Sequence, residues 1–242
     1  MGILTVLWQE YIFFKRKFWS ITFSNMISPT LYLIAFGWGI GSEIKVGGKD
    51  YIAFIVPGII ALTTMTTSFS SAAYSINIAK IYEKTLEEFV IAPISPLEFT
   101  FGKILASAFR GMYSAVLILL LAFLFKTNIK VNGCFMLVAM LNCLVFAALG
   151  FTSGLVVTSH EDMGKFNNFI ITPMAFLCGT FFPIEKMPYL LKQIILFLPL
   201  THTTQGLRNI NYGYSIVMHI LVLIIYLLIF AAIGIKVYRK TE

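Results

Sequence analysis

The sequence predicts an all-α integral membrane protein that forms a single transmembrane domain over residues 1–242. Of its 242 residues, 58% are hydrophobic and only 12% are charged, which is about half the charged fraction of an average soluble domain. The mean hydropathy is +0.86. Apolar stretches long enough to cross a bilayer as helices recur along the chain. We therefore expect an N-terminal helix at the membrane interface, followed by six transmembrane helices.

Residues 1–17 are predicted to form the interfacial helix. Their apolar side chains approximate one helical face, whereas Gln9, Glu10 and the basic run 15–17 are polar, a pattern typical of helices that lie at headgroup depth. Trp8 has the amphipathic ring that favours this depth. The alternative is a frayed, loosely attached terminus.

Six spans follow this helix. They are predicted at about residues 18–40, 51–78, 99–125, 134–158, 169–182 and 215–237. Pro29 is expected to kink the first span, and the fifth is short for a hydrocarbon core of about 30 Å. In the fourth span, Gly150 and Gly154 are four residues apart, a spacing that permits close helix packing.

The distribution of Lys and Arg predicts the orientation. With both termini on one side of six spans, that side carries 11 of the 18 Lys and Arg residues. The positive-inside rule then places both termini in the cytoplasm, together with the segment between the second and third spans. The net charge of +7 has the same origin, so we expect the lipid membrane, and no nucleic acid, as a partner.

The second span carries a run of hydroxyl side chains that a lipid-facing helix does not need. Thr63, Thr67 and Ser71 are therefore candidates for a translocation path, although hydroxyl groups also suit close helix packing. Arg110, inside the third span, is a fourth candidate, because an intramembrane arginine requires a partner or a wet cavity. Glu98 and the acids of the preceding segment are its nearest partners in sequence. Snorkelling to the interface is the alternative.

One of the few charged intervals separates the second span from the third. Residues 81–91 follow a helical pattern, with apolar side chains on one face and Glu or Lys on the other. Pro93 ends this pattern. Ser95 and Glu98 then match a capping box, and Pro96 suits the first helical turn. The segment is either a well-capped loop at the membrane surface or a docking element for a soluble partner.

Two later segments are also unusual. The loop 159–168 contains a histidine and two acids, but no further ligands accompany them, so we expect a solvated loop and no metal site. Residues 187–198, within the wider segment 183–210, are apolar and bounded by prolines. They are too few to cross a bilayer and too apolar for an aqueous loop, so a re-entrant or interfacial segment is expected.

Motifs for catalysis or cofactor binding are absent from the sequence. It lacks the P-loop pattern GxxxxGK[ST], HExxH and GxSxG, and no pair of carboxylates falls within a span. The three cysteines lie in apolar stretches without metal-ligand spacing. We expect no enzymatic activity, no metal and no cofactor in this chain.

Three stretches of the sequence have a recognisable form. They are YIAFIVPGII at the start of the second span, TLEEFVIAPISPLEFTFGKI with Arg110 and Gly111 after it, and NNFIITPMAFLCGTFFPIEKMPYLLKQIILFLPLTHTTQGLR near the end. Together they resemble the transmembrane (permease) subunit of type-2 ABC exporters, which pairs with a separate ATPase subunit. The resemblance covers nearly the whole chain.

The resemblance implies a cytoplasmic coupling helix between spans 2 and 3 that docks on the ATPase. Carried over, this helix covers about residues 81–92, and short re-entrant outer helices between spans 5 and 6 cover about 183–210. The candidate docking residues are Glu83, Leu86, Glu87, Glu88 and Phe89. The two adjacent acids are expected to make polar contacts with the ATPase, and the two apolar side chains are expected to pack against it.

The resemblance thus predicts the permease subunit of an ATP-driven ABC exporter in the bacterial cytoplasmic (inner) membrane. It implies that the chain forms the substrate path, pairs with a second copy of itself as a homodimer, and leaves ATP and Mg²⁺ to a P-loop ATPase subunit. The alternative is an ATP-independent membrane channel or lipid scramblase. The hydroxyl-rich second span is compatible with an amphipathic or lipid-like cargo and leaves its identity open.

Overall fold

The computed structural model describes residues 2–40, 45–46, 49–85, 89, 94–125, 127, 129, 131–209 and 214–240. Its α-helices are α1 (Gly2–Arg16), α2 (Phe18–Tyr32), α3 (Tyr51–Ile81), α4 (Pro96–Leu124), α5 (Gly133–Val156), α6 (His160–Phe166), α7 (Thr172–Leu177), α8 (Tyr189–Leu196), α9 (Pro199–Arg208) and α10 (Tyr214–Arg239). A π-helix, Leu33–Ile40, continues α2, a second, Asn167–Ile171, precedes α7, and a 3₁₀ turn spans Ile184–Lys186. A small antiparallel hairpin pairs β1 (Lys45–Val46) with β2 (Lys49–Asp50). Apart from that hairpin, the regular structure of the described residues is helical, as predicted.

Four helices in the described part of the chain, α3, α4, α5 and α10, are long and apolar enough to cross a membrane. The predicted class, an all-α membrane protein, is therefore confirmed, and each of these helices covers a predicted span. The predicted first span corresponds to α2 with its π-helical extension, and the predicted fifth corresponds to residues 167–177. Neither of these two is a single long α-helix.

Helix α3 is the central element of the bundle, and α5 approaches its backbone directly. A Cβ atom on Gly150 would lie 2.4 Å from the carbonyl oxygen of Phe69, and one on Gly154 would lie 2.8 Å from that of Ala73. Side chains cannot be accommodated at such distances, so only glycine permits this approach. The close packing predicted from the spacing of the two glycines is confirmed, and the pair is called the glycine contact below.

Helix α4 begins with the predicted capping box. The N–H of Glu98 donates to Ser95 Oγ at 3.2 Å, and the Glu98 carboxylate accepts a hydrogen bond from the N–H of Ser95 at 3.1 Å. Pro96 occupies the first turn, where its missing N–H leaves no bond unmade. The same carboxylate accepts a hydrogen bond from the N–H of Gly2 at 3.1 Å. The first turn of α4 therefore also holds the start of α1.

Helix α1 runs beside the first half of α4. Val6, Glu10 and Phe14, spaced four residues apart, all face α4, as one face of a helix must. Val6 lies over Gly102, where a Cβ atom would come within 2.8 Å of it, and the ring centroids of Phe14 and Tyr113 are 5.2 Å apart. The contacts advance in the same order along both helices. The N-terminus is thus a packed helix and not a frayed end.

The segment predicted to be a solvated loop, 159–168, instead forms helix α6 and the start of a π-helix. Ser159 caps α6 by accepting a hydrogen bond from the N–H of Asp162 at 3.0 Å, and Lys165 pairs with Glu161 at 2.8 Å. The prediction of a loop is wrong because this cap and this i,i+4 pair both support a short helix. The charged groups themselves are exposed, as predicted.

Candidate functional site

A polar cleft of about 300 Å³ opens between α2, α3 and residues 167–177. Its polar lining consists of Ser24, Asn25, Ser28, Tyr32, Thr63, Thr66, Thr67, Asn167 and Thr172. Apolar side chains complete the lining, and no charged side chain belongs to it among the residues that the structure describes. Such a lining can hydrogen-bond water or an uncharged polar group inside an otherwise apolar bundle.

Asn25 shows that the hydrogen-bonding capacity of this cleft is not exhausted. Its side-chain nitrogen is shielded from solvent and has no hydrogen-bond partner within the described ranges. A shielded donor without a partner costs about 1–3 kcal/mol. A polar group that entered the cleft and accepted this hydrogen bond would therefore gain stabilisation.

The four predicted path residues separate into two groups. Thr63 and Thr67 line the cleft, whereas Ser71 and Arg110 do not. Instead, Arg110 Nη1 donates a hydrogen bond to Ser71 Oγ at 3.1 Å. The hydroxyl run on α3 therefore serves two different sites, with the first part facing the cleft and a later member bound to a charged group.

Irregular helical turns border the cleft on two sides. Tyr32, which lines it, is the last residue before the π-helix Leu33–Ile40. On the other side, Asn167 begins the π-helix Asn167–Ile171, where its carbonyl accepts a hydrogen bond from the N–H of Thr172. π-helical turns within α-helices are frequent at functional sites, which supports the cleft as the candidate site.

A buried charge cluster lies where α1 meets α3 and α4; it comprises Glu10, Lys103 and Arg110, with Ser71 and Ser75. The Glu10 carboxylate lies 2.6 Å from Lys103 Nζ and 2.7 Å from Arg110 Nη2, and it accepts a hydrogen bond from Ser75 Oγ at 3.0 Å. Each charged side chain is less than a tenth exposed. Burial alone would raise the pKa of Glu10, but the two cations outweigh burial and hold this pKa below its ordinary value.

Glu98, one of the candidate partners of Arg110 suggested by proximity in sequence, does not pair with it. Glu98 lies three turns earlier on the same helix, about 18 Å away along its axis, and its carboxylate is bound to Ser95 and Gly2. The partner of Arg110 is Glu10. Snorkelling does not describe this arginine either, because Arg110 is only 8% exposed. Sequence reasoning grouped Glu10 with the polar side of an interfacial helix and therefore missed the pair.

The predicted docking residues lie where α3 ends. Helix α3 extends to Ile81, and Lys84 then adopts a left-handed φ of 53°. Residues 81–84 therefore do not form the start of a separate helix, because a left-handed residue interrupts a right-handed helix. Glu83 is exposed in this turn. The candidates Leu86, Glu87 and Glu88 lie outside the described residues.

Phe89, the remaining docking candidate, is half-buried within the chain itself. Its ring centroid is 4.9 Å from that of Phe99, and Lys103 Nζ lies 5.8 Å from it. Aromatic and cation–π contacts of this kind stabilise packed surfaces. The side chain that sequence reasoning assigned to an ATPase contact thus holds the segment against the start of α4.

Helices α8 and α9 occupy the segment predicted to be short and re-entrant. The polar residues at its end form the buried helix α9. Thr203 Oγ1 donates to Asn142 Oδ1 at 2.8 Å, and Asn142 Nδ2 donates to Thr64 Oγ1 at 2.9 Å. These bonds satisfy polar groups that would otherwise be orphaned inside the bundle. They tie α9 to α5 and α3.

Arg208 secures the end of α9. Its N–H groups donate to the carbonyl oxygens of Phe54 at 3.1 Å, Gly179 at 2.5 Å and Thr180 at 3.0 Å. Its guanidinium carbon lies 3.7 Å from the centroid of the Phe54 ring. A planar guanidinium can donate in several fixed directions while it stacks on a ring, which an ammonium cannot do.

We expect Arg208→Lys to destabilise the protein by about 2–3 kcal/mol, because hydrogen bonds from a charged donor contribute about 1.5–3 kcal/mol each and lysine retains at most part of the set. Thermal unfolding in detergent measures the loss. The matched control is Arg16→Lys, which makes the same replacement at an exposed position and is expected to change the Tm little. Equal Tm values for the two variants would contradict the assigned role of Arg208.

Comparison with known proteins decides the family. The family model described as ABC-2 type transporter matches residues 1–212. The chain belongs to the ABC-2 type transporter family. Among its relatives are the inner membrane transport permease YadH of Escherichia coli K12, which is 27% identical over 214 residues (87% of this chain and 82% of that protein), and nodulation protein J of Rhizobium leguminosarum bv. viciae, which is 27% identical over 231 residues (93% and 89%).

Membership of the ABC-2 type transporter family and the long apolar helices of the described residues establish this chain as a transport permease of a membrane. The family resemblance inferred from the three sequence stretches is confirmed. In ABC transporters the permease is not itself catalytic, and ATP hydrolysis belongs to a separate subunit. The polar cleft, the charge cluster and the residues that follow α3 therefore belong to a membrane transport protein.

Proposed function

We propose that this permease is the membrane subunit of an ATP-driven exporter in the bacterial inner membrane and that it works with a separate P-loop ATPase. The observation that carries the proposal is an uncharged polar cleft inside the apolar bundle of an ABC-2 type transporter chain. The E. coli relative is named an inner membrane transport permease, which supports the location. ATP and Mg²⁺ are bound by the partner, and this chain holds no cofactor.

The proposed arrangement has six spans with both termini in the cytoplasm. Helix α2 with its π-helical extension and residues 167–177 supply the two spans besides α3, α4, α5 and α10, and residues 183–210 re-enter from the outer side. Helices α3 and α4 have 31 and 29 residues, or about 46 and 44 Å, against a hydrocarbon core of about 30 Å. In this arrangement the excess length lies on the cytoplasmic side, so that α1 and the Lys103 end of the charge cluster lie near headgroup depth.

In this proposal a second copy of the chain completes the substrate path. Ser24 and Ser28 of the cleft are exposed in the single chain, and polar groups that face lipid cannot form hydrogen bonds there. A homodimer that apposes two clefts shields both linings from lipid and encloses one polar path. Thr63 and Thr67 of each copy then face the cargo, whereas Ser71 and Arg110 stay in the charge cluster.

The cleft makes a prediction about water access. We expect Thr67→Cys to react with a hydrophilic maleimide on the order of tenfold or more faster than Ser68→Cys, because thiol reactivity requires exposure and ionisation. Thr67 lines the cleft, and the neighbouring Ser68 is 0% exposed. Both variants are made with Cys134→Ser, since Cys143 and Cys178 are buried. Equal labelling rates would show that the cleft is not a water-filled path.

We propose that the docking segment, residues 82–95, receives the ATPase. Glu83, Leu86, Glu87 and Glu88 are the proposed contacts, and Phe89 anchors the segment. The capping box at Ser95 joins the segment directly to α4, so a displacement of the segment moves α4 as a lever. Closure of two ATPases on ATP would then bias the two permeases between inward-facing and outward-facing states.

Reversal of two charges tests the docking segment. We expect Glu87→Lys with Glu88→Lys to reduce the amount of ATPase that co-purifies with the tagged permease in mild detergent by about tenfold or more. The two lysines would face the groups of the ATPase that the acids are proposed to bind, and like charges across an interface are strongly unfavourable. The matched control is Glu161→Lys with Asp162→Lys, an adjacent acidic pair on α6 that is exposed and bound to Lys165.

The outcomes of this experiment separate the candidate functions. Loss of the ATPase from the first variant alone supports docking at residues 82–95. Equal loss from both variants would contradict docking at residues 82–95 alone, because His160 at the start of α6 packs against Tyr82 of that segment, with ring centroids 5.0 Å apart. A wild-type permease that purifies as an intact oligomer without any P-loop ATPase would instead favour an ATP-independent channel or lipid scramblase.

A further inference from the structure

Helix α1 contacts α4 along most of the length of α1. The N–H of Gly2 bonds to Glu98 at the first turn of α4, and the Phe14 ring packs edge-on against Tyr113 four turns later. Between these points, Glu10 of α1 forms ion pairs with Lys103 and Arg110 of α4. The contacts on α1 recur every fourth residue and therefore occupy one helical stripe.

The Glu10 carboxylate contacts three side chains, whereas the carboxylate of a simple ion pair contacts one. One carboxylate oxygen faces Lys103 at 2.6 Å and Ser75 at 3.0 Å, and the other faces Arg110 at 2.7 Å. The two cations lie on α4 and the serine on α3. Bonds of this kind between charged groups are short and directional, and a buried position shields them from screening by salt. Their geometry resists both sliding and rotation of α1 against α4.

We propose that Glu10 is a positioning residue that fastens α1 to α4, so that the two helices move as one lever when the docking segment is displaced. This inference rests on the proposed ATP-driven function. A single helix bends along its length, whereas two helices joined at several points resist bending. The joined pair carries a displacement of residues 82–95 toward α2, a wall of the cleft, because Tyr113 of α4 is hydrogen-bonded to Thr22 of α2 at 2.8 Å. The exposed apolar side chains of α1, Leu4 and Trp8, travel with it along the membrane surface.

Distances between spin labels test whether α1 and α4 move together. Labels at Leu4→Cys on α1 and Phe123→Cys on the far turn of α4 occupy exposed positions, and Cys134→Ser removes the only native cysteine that is not buried. A second pair joins Leu4→Cys to Phe169→Cys, which is exposed beside the cleft. Each pair is measured in the permease–ATPase complex, diluted with unlabelled protomers, without nucleotide and after trapping with ATP and vanadate.

We expect the distance from α1 to α4 to keep one narrow distribution in both states, while the distance from α1 to residue 169 shifts with nucleotide. A nucleotide-dependent change in the first distance would overturn the inference and leave the proposed function standing. The absence of any nucleotide response in either pair would contradict the ATP-driven function itself. These measurements need no substitution at Glu10, so they hold even if that residue is essential for folding.

The role of Glu10 is isolated by comparing Lys103→Met with the double variant Glu10→Gln and Lys103→Met. Both lack one cation, and they differ only in the carboxylate that binds Arg110. We expect the double variant to retain ATP hydrolysis, to broaden the distribution of distances from α1 to α4, and to lose most of the nucleotide-dependent shift that Lys103→Met shows. A normal shift in the double variant would show that Glu10 does not position the lever.

Discussion

Glu10→Gln is expected to remove most of the folded permease. The change leaves Lys103 and Arg110 facing each other in a buried site without the carboxylate that both of them contact. Breaking a buried ion pair by removing one partner costs about 3–5 kcal/mol, which is a large part of the stability of an ordinary protein. Size-exclusion chromatography of detergent extracts and thermal unfolding of the surviving monodisperse fraction measure the loss.

Compensating and control variants sharpen this prediction. Lys103→Met alone leaves a one-to-one pair of Glu10 and Arg110 and is expected to be tolerated. Adding Lys103→Met to Glu10→Gln removes one of the uncompensated cations and is expected to restore much of the lost protein. Glu161→Gln breaks a pair whose side chains are mostly exposed and should have little effect. Comparable losses for Glu10→Gln and Glu161→Gln would refute the structural role of the charge cluster.

The charge cluster also predicts that the stability of the fold decreases at acid pH. Because the pKa of Glu10 is lower in the folded protein than the ordinary value of about 4.3, ionised Glu10 stabilises the fold above that value. This contribution is lost as the pH falls below about 4 and approaches the folded-state pKa. Between neutral pH and about pH 5 we expect no loss of stability from this group.

Gly150→Ala is expected to have an effect of similar size. The added methyl group would lie 2.4 Å from the carbonyl oxygen of Phe69 and close to its Cα and carbonyl carbon, so a backbone rather than a flexible side chain must move. Overpacking of a core typically costs about 1–3 kcal/mol and occasionally more, and here α3 and α5 must separate along their whole contact. Thermal unfolding and the yield of monodisperse protein measure the result.

Gly133→Ala is the matched control for this change. Gly133 also lies in α5, but apart from its chain neighbours and its own helical turn, no atom of the described residues lies within 4 Å of a Cβ atom built there. The replacement should be neutral or slightly stabilising, since alanine is favoured over glycine in helices by about 0.5–1 kcal/mol. If Gly150→Ala were tolerated as well as Gly133→Ala, the backbone contact between α3 and α5 would not be a constraint on the fold.

Features that depend on residues close together in the sequence were predicted correctly. The capping box at Ser95 and Glu98 acts over three residues, and the pattern that predicts it is complete in the sequence. The glycine spacing of the fourth span likewise identified a close contact, although not the helix it contacts. The long apolar spans were placed within a few residues, because hydropathy depends on composition and not on tertiary structure.

Features that depend on tertiary contacts were missed. Arg110 was assigned to Glu98 because both are close in sequence, whereas the carboxylate that binds it comes from a helix 100 residues earlier. Ser71 and Thr67 differ by one turn on α3 and looked equivalent, yet only Thr67 faces the cleft. The packing of Phe89 on Phe99 could not be predicted either, because the two residues lie on either side of the prolines at 93 and 96 and the pattern gives no relative direction.

The glycine contact also restricts how this permease can change shape. Two helices whose backbones touch cannot slide or roll past one another without steric clash, so α3 and α5 form a fixed frame. The remaining walls of the cleft are α2 and residues 167–177, and each adjoins or contains a π-helical segment, a departure from the regular α-helix that is frequent at functional sites. A change in the width of the cleft would therefore have to move these two walls relative to the frame of α3 and α5, and we expect substitutions there to alter the rate of transport more than the stability of the fold.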